Sequence, residues 1–234
     1  MAFLMLNRSH ELGNGVGAAA PKDSHPVPAI NLLAADRDNT MLYRWAQRHA
    51  GKYGIPVRAL QAYGYATVVL ARAKPDCHLG WTTLAGIAQI ESDHGRFRGA
   101  KIAADGLVRP PIRGVPLDGT NGNARITDTN PEGRSVYARA SGPFQFIPDT
   151  WKRWGIRSDL GYDAVTRAAA VETAPKVPGN PDDIDDAALA AGRYLCASGG
   201  NLSTYSGWRK AIFAYNHSEA YVRNVHQAAD TYTK

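Results

Sequence analysis

The chain has 234 residues, 44% of them hydrophobic, which is enough for one sizeable core or a core with an arm. Its net charge of +6 and pI near 9.4 suit an anionic partner: a cell-wall polymer, a nucleic acid or a membrane surface. Nucleic acid is set aside because basic and aromatic residues do not interleave and no basic run is long, and no apolar stretch approaches the ~18 residues of a membrane span.

Residues 1–35 mix Gly, Ala, Pro and polar residues without a periodic face, which predicts an irregular N-terminal arm, with residues 36–234 forming one domain. Met1 to Leu6 is apolar but too short for a signal h-region and lacks a basic flank, so no signal peptide is evident. Gly13, Gly15 and Gly17 make no dinucleotide fingerprint, since no strand precedes them. A first helix is predicted from Asp38 to His49, with Leu42, Trp45, Ala46 and His49 on one side and Gly51 as its stop. A second opens at Pro56, turns Leu60, Tyr63, Thr67, Leu70 and Ala71 inward, and ends at Pro75.

The third helix is the informative one. Trp81 to Ser92 reads as helical, capped by Thr82 or Thr83 and ended by Gly95. Leu84, Ile87, Ala88 and Glu91 then share one face, apolar until its last member. A Glu on a core-facing stripe must be paired, protonated or at work, and a raised pKa is what a general acid near neutral pH needs. The plain alternative is that Glu91 emerges into solvent where the helix frays.

Residues 96–140 are dense in Gly, Pro, Asp and Asn, which predicts a long excursion with a short β-hairpin near Arg125 to Thr127. Ser141 to Ile147 reads as a turn leading into a helix from Pro148, and residues 155–179 as irregular with a helical turn around Val165 to Val171. Asn180-Pro-Asp-Asp predicts a helix start, with Ile184, Ala187, Ala188, Ala191, Tyr194 and Leu195 inward and Gly199-Gly200 as the end. Trp208 to Tyr215 and a Ser218-capped segment through Tyr232 complete a mainly α fold with long loops.

Several chemistries are weighed and dropped. Glu91-Ser-Asp-His94 has the Glu-x-x-His spacing of di-iron bundles, but no second copy exists. Asp128-x-Asn130-x-Glu132-Gly133 starts like a calcium loop, but Arg139 stands where the bidentate Glu belongs. Neither a His-Glu-x-x-His zinc motif nor a Gly-x-Ser-x-Gly elbow is present. Cys77 and Cys196 would bridge in an exported protein and would be two buried thiols in the cytoplasm. What remains is Glu91 at one helix end, Gln145 in a tight apolar turn, and Tyr215 and Asn216 at another helix end. Neutral amides and aromatic rings together suit sugars.

The order Glu-Ser…His-Gly, Ala-Ser-Gly-Pro-Phe-Gln-Phe-Ile-Pro-x-Thr-Trp, Asp-Ala-Ala-Leu-Ala-Ala-x-x-Tyr-Leu-Cys and Ala-x-x-Ala-Tyr-Asn-x-Ser-x-x-Tyr resembles bacterial lytic murein transglycosylases over roughly residues 53–230. The nearest likeness is to the B-type enzymes and their secreted two-cysteine relatives. The resemblance implies a lysozyme-like, goose-type α-domain, with Glu91 as the single catalytic acid and base. Gln145, Tyr215 and Asn216 would line the sugar cleft, with Ser92 and Phe144 beside them. It implies peptidoglycan glycan strands as partner, a monomer, and an extracytoplasmic location in which Cys77 and Cys196 are joined. Phe144 and Phe146 make the turn bulkier than the family's common Gly-Leu-Met-Gln form, and the Asp/Gly-rich cation loop of some members is missing from residues 155–180, so no metal and no cofactor is expected. The rivals are a muramidase with a second acid among Asp93, Asp105 and Glu132, and a non-catalytic wall-binding module.

Overall fold

The computed structural model describes residues 19–23, 25–30, 39–120, 122–176 and 178–234. Met1 to Leu6, the Gly13 to Gly17 run and Asp38 lie outside the described residues. The fold is mainly α. Among the described residues, eight helices, α1 (Asn39–Tyr53), α2 (Val57–Ala73), α3 (Trp81–Ser92), α4 (Pro148–Trp154), α5 (Tyr162–Ala170), α6 (Ile184–Gly199), α7 (Tyr205–Tyr215) and α8 (Glu219–Thr231), surround one main core. The 96–140 excursion carries two antiparallel hairpins where one is expected, β1 (Lys101–Ile102) with β2 (Val108–Arg109) and β3 (Thr127–Thr129) with β4 (Ser135–Tyr137). No described helix is long and apolar enough to cross a membrane.

Helix α3 lies along α8 and touches α2 and α6. Ten of its twelve residues are buried, so its apolar sequence is a consequence of being enclosed on nearly every side. Enclosure also explains why Thr82 and Thr83 do not cap it. Gly80 stands at the N-cap, and the cap comes from the N-terminal segment instead. The Asp23 carboxylate accepts from the Trp81 and Thr82 backbone N–H groups, both at 3.2 Å, and from Thr82 Oγ1 at 2.9 Å. Thr83 Oγ1 accepts from Trp208 Nε1 at 3.1 Å, tying α3 to α7. The described part of the expected arm, 19–30, is therefore folded onto the domain, with Ala20 buried and the His25 carbonyl accepting from Trp81 Nε1.

Four boundaries differ from expectation, the first being α7, which starts at Tyr205 and not Trp208 because the Thr204 hydroxyl caps it, accepting from Gly207 N. Helix α1 runs through Gly51 to Tyr53 and stops at Gly54, whose φ of +65° the preceding helix cannot continue. Helix α5 is a full element, where the sequence predicts one turn. Helix α6 starts at Ile184 because Asp183, not Asn180, is its cap: its carboxylate accepts from the Asp185 and Asp186 N–H groups. Asn180 instead turns the chain ahead of it through its own side chain, Oδ1 accepting from Asp182 N at 3.0 Å. Cys77 and Cys196 form a disulfide with Cα atoms 5.3 Å apart, linking the approach to α3 with the end of α6.

Candidate active site

Glu91 lies in the last turn of α3 and is only 2% exposed, which removes the frayed-end alternative. Burial pushes its carboxyl up to about 8, against the opposing pull of a hydrogen bond from Tyr221. The Tyr221 hydroxyl donates to Glu91 Oε1 at 2.7 Å. The second carboxyl oxygen makes no hydrogen bond to the described residues. Beyond Ser92 the chain turns sharply through Asp93, His94 and Gly95, all at positive φ. Ser92 holds this bend and a distant turn together: its Oγ accepts from Gly95 N at 2.8 Å and donates to the Pro143 carbonyl at 2.7 Å.

That turn, residues 141–146, is closed by reciprocal backbone bonds between Ser141 and Phe146. Gly142 is required in it, because φ is +75° and a Cβ there would lie 1.7 Å from the Pro181 carbonyl oxygen. Gln145 is a non-glycine residue in the left-handed region, at φ +49°. Its Nε2 donates to the Gly142 carbonyl at 2.8 Å, and its Oε1 is buried with no hydrogen-bond partner. The Phe144 ring is fully buried with its edge toward Tyr63, so this residue enters the site through its backbone carbonyl, which accepts from Tyr215 at 2.8 Å.

Tyr215 ends α7 with its ring parallel to that of Tyr221, centroids 6.4 Å apart. A continuous chain of contacts thus runs from Glu91 through Tyr221 and Tyr215 to the Gln145 turn, and back through Ser92 to α3. Asn216 follows as the half-buried C-cap of α7, and its side-chain amide makes no hydrogen bond among the described residues. Tyr221 is the site residue that sequence reasoning missed. Its inward position is legible from the Tyr221–Val222–Val225–Ala229 stripe of α8, but a stripe does not say where a hydroxyl points.

His94 goes elsewhere. It is fully buried between Tyr63, whose hydroxyl meets Nδ1 at 3.1 Å, and Tyr232, whose hydroxyl meets Nε2 at 3.0 Å. The Tyr232 hydroxyl donates onward to Gln89 Oε1, so it accepts from His94 Nε2–H, and Nδ1 accepts from Tyr63. Burial lowers His94 to about 3, leaving it a neutral packing residue. The rival acids each face a surface cation. Asp93 pairs with Arg96, Asp105 with Arg109, and Glu132 sits near Arg134 at the tip of the second hairpin, all substantially exposed. The calcium-like run forms that hairpin's turn, with Asn130 Oδ1 accepting from Arg134 N at 2.8 Å.

No protein-family model, no curated protein and no solved structure matches the chain. The site must therefore be read from its own geometry. It offers a carboxylic acid that burial pushes up to about 8, one of its oxygens fixed by a tyrosine, beside a turn with an unsatisfied amide oxygen and an asparagine amide.

Proposed function

We propose that the chain is a peptidoglycan lytic transglycosylase on a lysozyme-like, goose-type α-domain, acting outside the cytoplasm as a monomer on glycan strands. The observation that carries this reading is Glu91: a buried acid held near pKa 8, whose hydrogen-bond partner is Tyr221 and not a second carboxylate. Two-carboxylate glycosidases need the second acid within a few ångströms, about 5–9.5 Å away. The candidates Asp93 and Asp105 are each engaged in a surface ion pair, which favours a one-acid mechanism.

In that mechanism Glu91 gives its proton to the oxygen linking N-acetylmuramic acid to N-acetylglucosamine. The bond from C1 to that oxygen breaks, and the N-acetylglucosamine leaves with a free 4-hydroxyl. The 2-acetamido group of the substrate stabilises the positive charge at C1. Glu91, now a carboxylate, takes the proton of the C6 hydroxyl while O6 attacks C1, closing a 1,6-anhydro ring and restoring the acid. No water is consumed, because a tethered hydroxyl is at high effective concentration. Tyr221, donating to Oε1, leaves the proton on the other oxygen and so orients the acid. The disulfide is compatible with an oxidising compartment.

Mass spectrometry of digests of purified murein in ¹⁸O-labelled water tests the reading. Anhydro-muramoyl ends without label are expected. Reducing ends carrying label would establish the muramidase instead, and absence of cleavage would leave a binding module.

A further inference from the structure

The excursion at 96–140 holds eight Lys and Arg against four Asp and Glu, so it supplies most of the chain's net charge. Its second half is a ribbon rooted in the Gln145 turn. Gly142 N donates to the Ile112 carbonyl and Gly114 N to the Ala140 carbonyl, both at 2.9 Å, and Ser141 bridges Arg113. Further out, Leu117 pairs with Ala138 and Ile126, and β3–β4 forms the tip. Near its root the ribbon has one buried face, while β4 at its tip is exposed on both faces. Ile112, Gly114, Leu117, Ala138 and Ala140 are buried, while Val115, Arg125, Tyr137 and Arg139 are exposed on the outer face.

The cations on that face are pre-oriented. The Arg125 guanidinium lies 5.7 Å over the Tyr137 ring and donates to its hydroxyl at 3.2 Å. Arg139 donates to the Gly114 carbonyl at 2.8 Å and has no carboxylate partner among the described residues. The nearby acids are engaged: Asp128 with Lys152, Asp182 with Arg113, and Asp118 with the hydroxyl and N–H of Thr120, with Arg125 across the ribbon adding a weaker attraction. Planar guanidinium groups fixed on one side are carboxylate receptors. Val115 and Tyr137 supply apolar surface, 44% and 41% exposed.

We propose that this outer face binds the acidic peptide stems carried by the muramoyl residues, an inference that rests on the glycan-cleaving reading above. Charge complementarity selects the occupant, and length agrees with it. From the Gly142 turn, Arg139 lies three residues away and Tyr137 five, about 10 Å and 17 Å along an extended ribbon. A stem of four residues spans roughly 13–14 Å. A stem anchored at the turn therefore passes Arg139 and ends roughly 3–4 Å short of the Tyr137 level, a gap for the long Arg125 side chain at that ring to bridge.

The test uses Arg125→Gln/Arg139→Gln in the full chain, assayed on intact murein and on the same glycan stripped of its stems by an amidase. Binding of a free tetrapeptide stem, with its carboxyl-amidated form as control, is followed by NMR titration. Intact murein should be turned over faster than stripped glycan by the wild type. The double variant should lose about fivefold per arginine on intact murein, as for an exposed charge pair, and change less than twofold on stripped glycan. The tetrapeptide should shift resonances of the ribbon in the wild type, and neither its amidated form nor the variant should reproduce those shifts. Equal turnover of both substrates by the wild type, or an equal drop on both in the variant, overturns the inference while leaving the cleavage reading intact. If neither substrate is cut, the cleavage reading fails, and the titration alone decides whether the face takes acidic peptides.

Discussion

Keeping Glu91 buried costs the fold free energy whenever the carboxyl is ionised. Its pKa is about 8 in the folded chain against an ordinary 4.5, so between those values the folded chain holds a proton that the unfolded chain has lost. This contribution to stability is full below pH ~4.5 and is lost as the pH rises toward ~8. Glu91→Gln keeps the acceptor for Tyr221 and removes the titration. It should abolish turnover and be as stable as wild type near pH 4. By pH 8 it should be more stable, on the order of 3–5 kcal/mol at ~1.4 kcal/mol per pH unit. Thermal melts of both proteins from pH 4 to 8 read the gap directly, and parallel curves would mean that Glu91 is not held protonated. Tyr221→Phe tests the orientation. Losing the hydrogen bond that lowers Glu91 should move the alkaline limb of the kcat/KM profile upward, while kcat falls about ten- to a hundredfold. An unmoved limb would make Tyr221 a packing residue only. At this scale the sequence was partly legible. Glu91 is marked by its place on an apolar face, whereas the partners of Tyr221 and His94 are fixed by α8 and α2, which no local pattern links to α3.

At the scale of elements, α3 is specified by its own sequence but held by others. Its bounds follow from periodicity and from the turn at Gly95, yet its cap is Asp23, a residue of an irregular segment 58 positions away. A remote cap has no signature, because capping rules read only neighbours. At α6 the expected cap, Asn180, is displaced by Asp183 three residues later, which accepts from Asp185 N and Asp186 N. The disulfide reaches across these elements, closing a loop with a sequence separation of 119. Cys77→Ser/Cys196→Ser should destabilise the folded chain by about 4–5 kcal/mol in the chain-entropy model. Urea unfolding under oxidising conditions measures this. A change below about 1 kcal/mol would mean that the unfolded chain is already compact across that loop.

At the scale of the whole molecule, composition and periodicity were sufficient for a mainly α domain because most helices bury one clear stripe. They did not show how far the domain extends toward the N-terminus. Segment 19–30 has no periodicity, since its role is to supply single contacts: Ala20 in the core, Asp23 on α3, the His25 carbonyl on Trp81 Nε1, and Val27 and Ile30 packed against the core. Each contact joins the segment to a helix already made. Removing residues 1–30 should therefore leave the helices formed but less firmly held. The lost cap is worth about 1 kcal/mol, and the lost apolar burial about 1–3 kcal/mol. Together these predict a Tm roughly 4–16 °C lower, at ~2–4 °C per kcal/mol for a chain of this size. Asp23→Ala in the full chain isolates the cap and should account for about a quarter to a half of the loss. Circular dichroism melts of the three proteins decide it: equal Tm values would show that segment 19–30 rests on the domain without supporting α3.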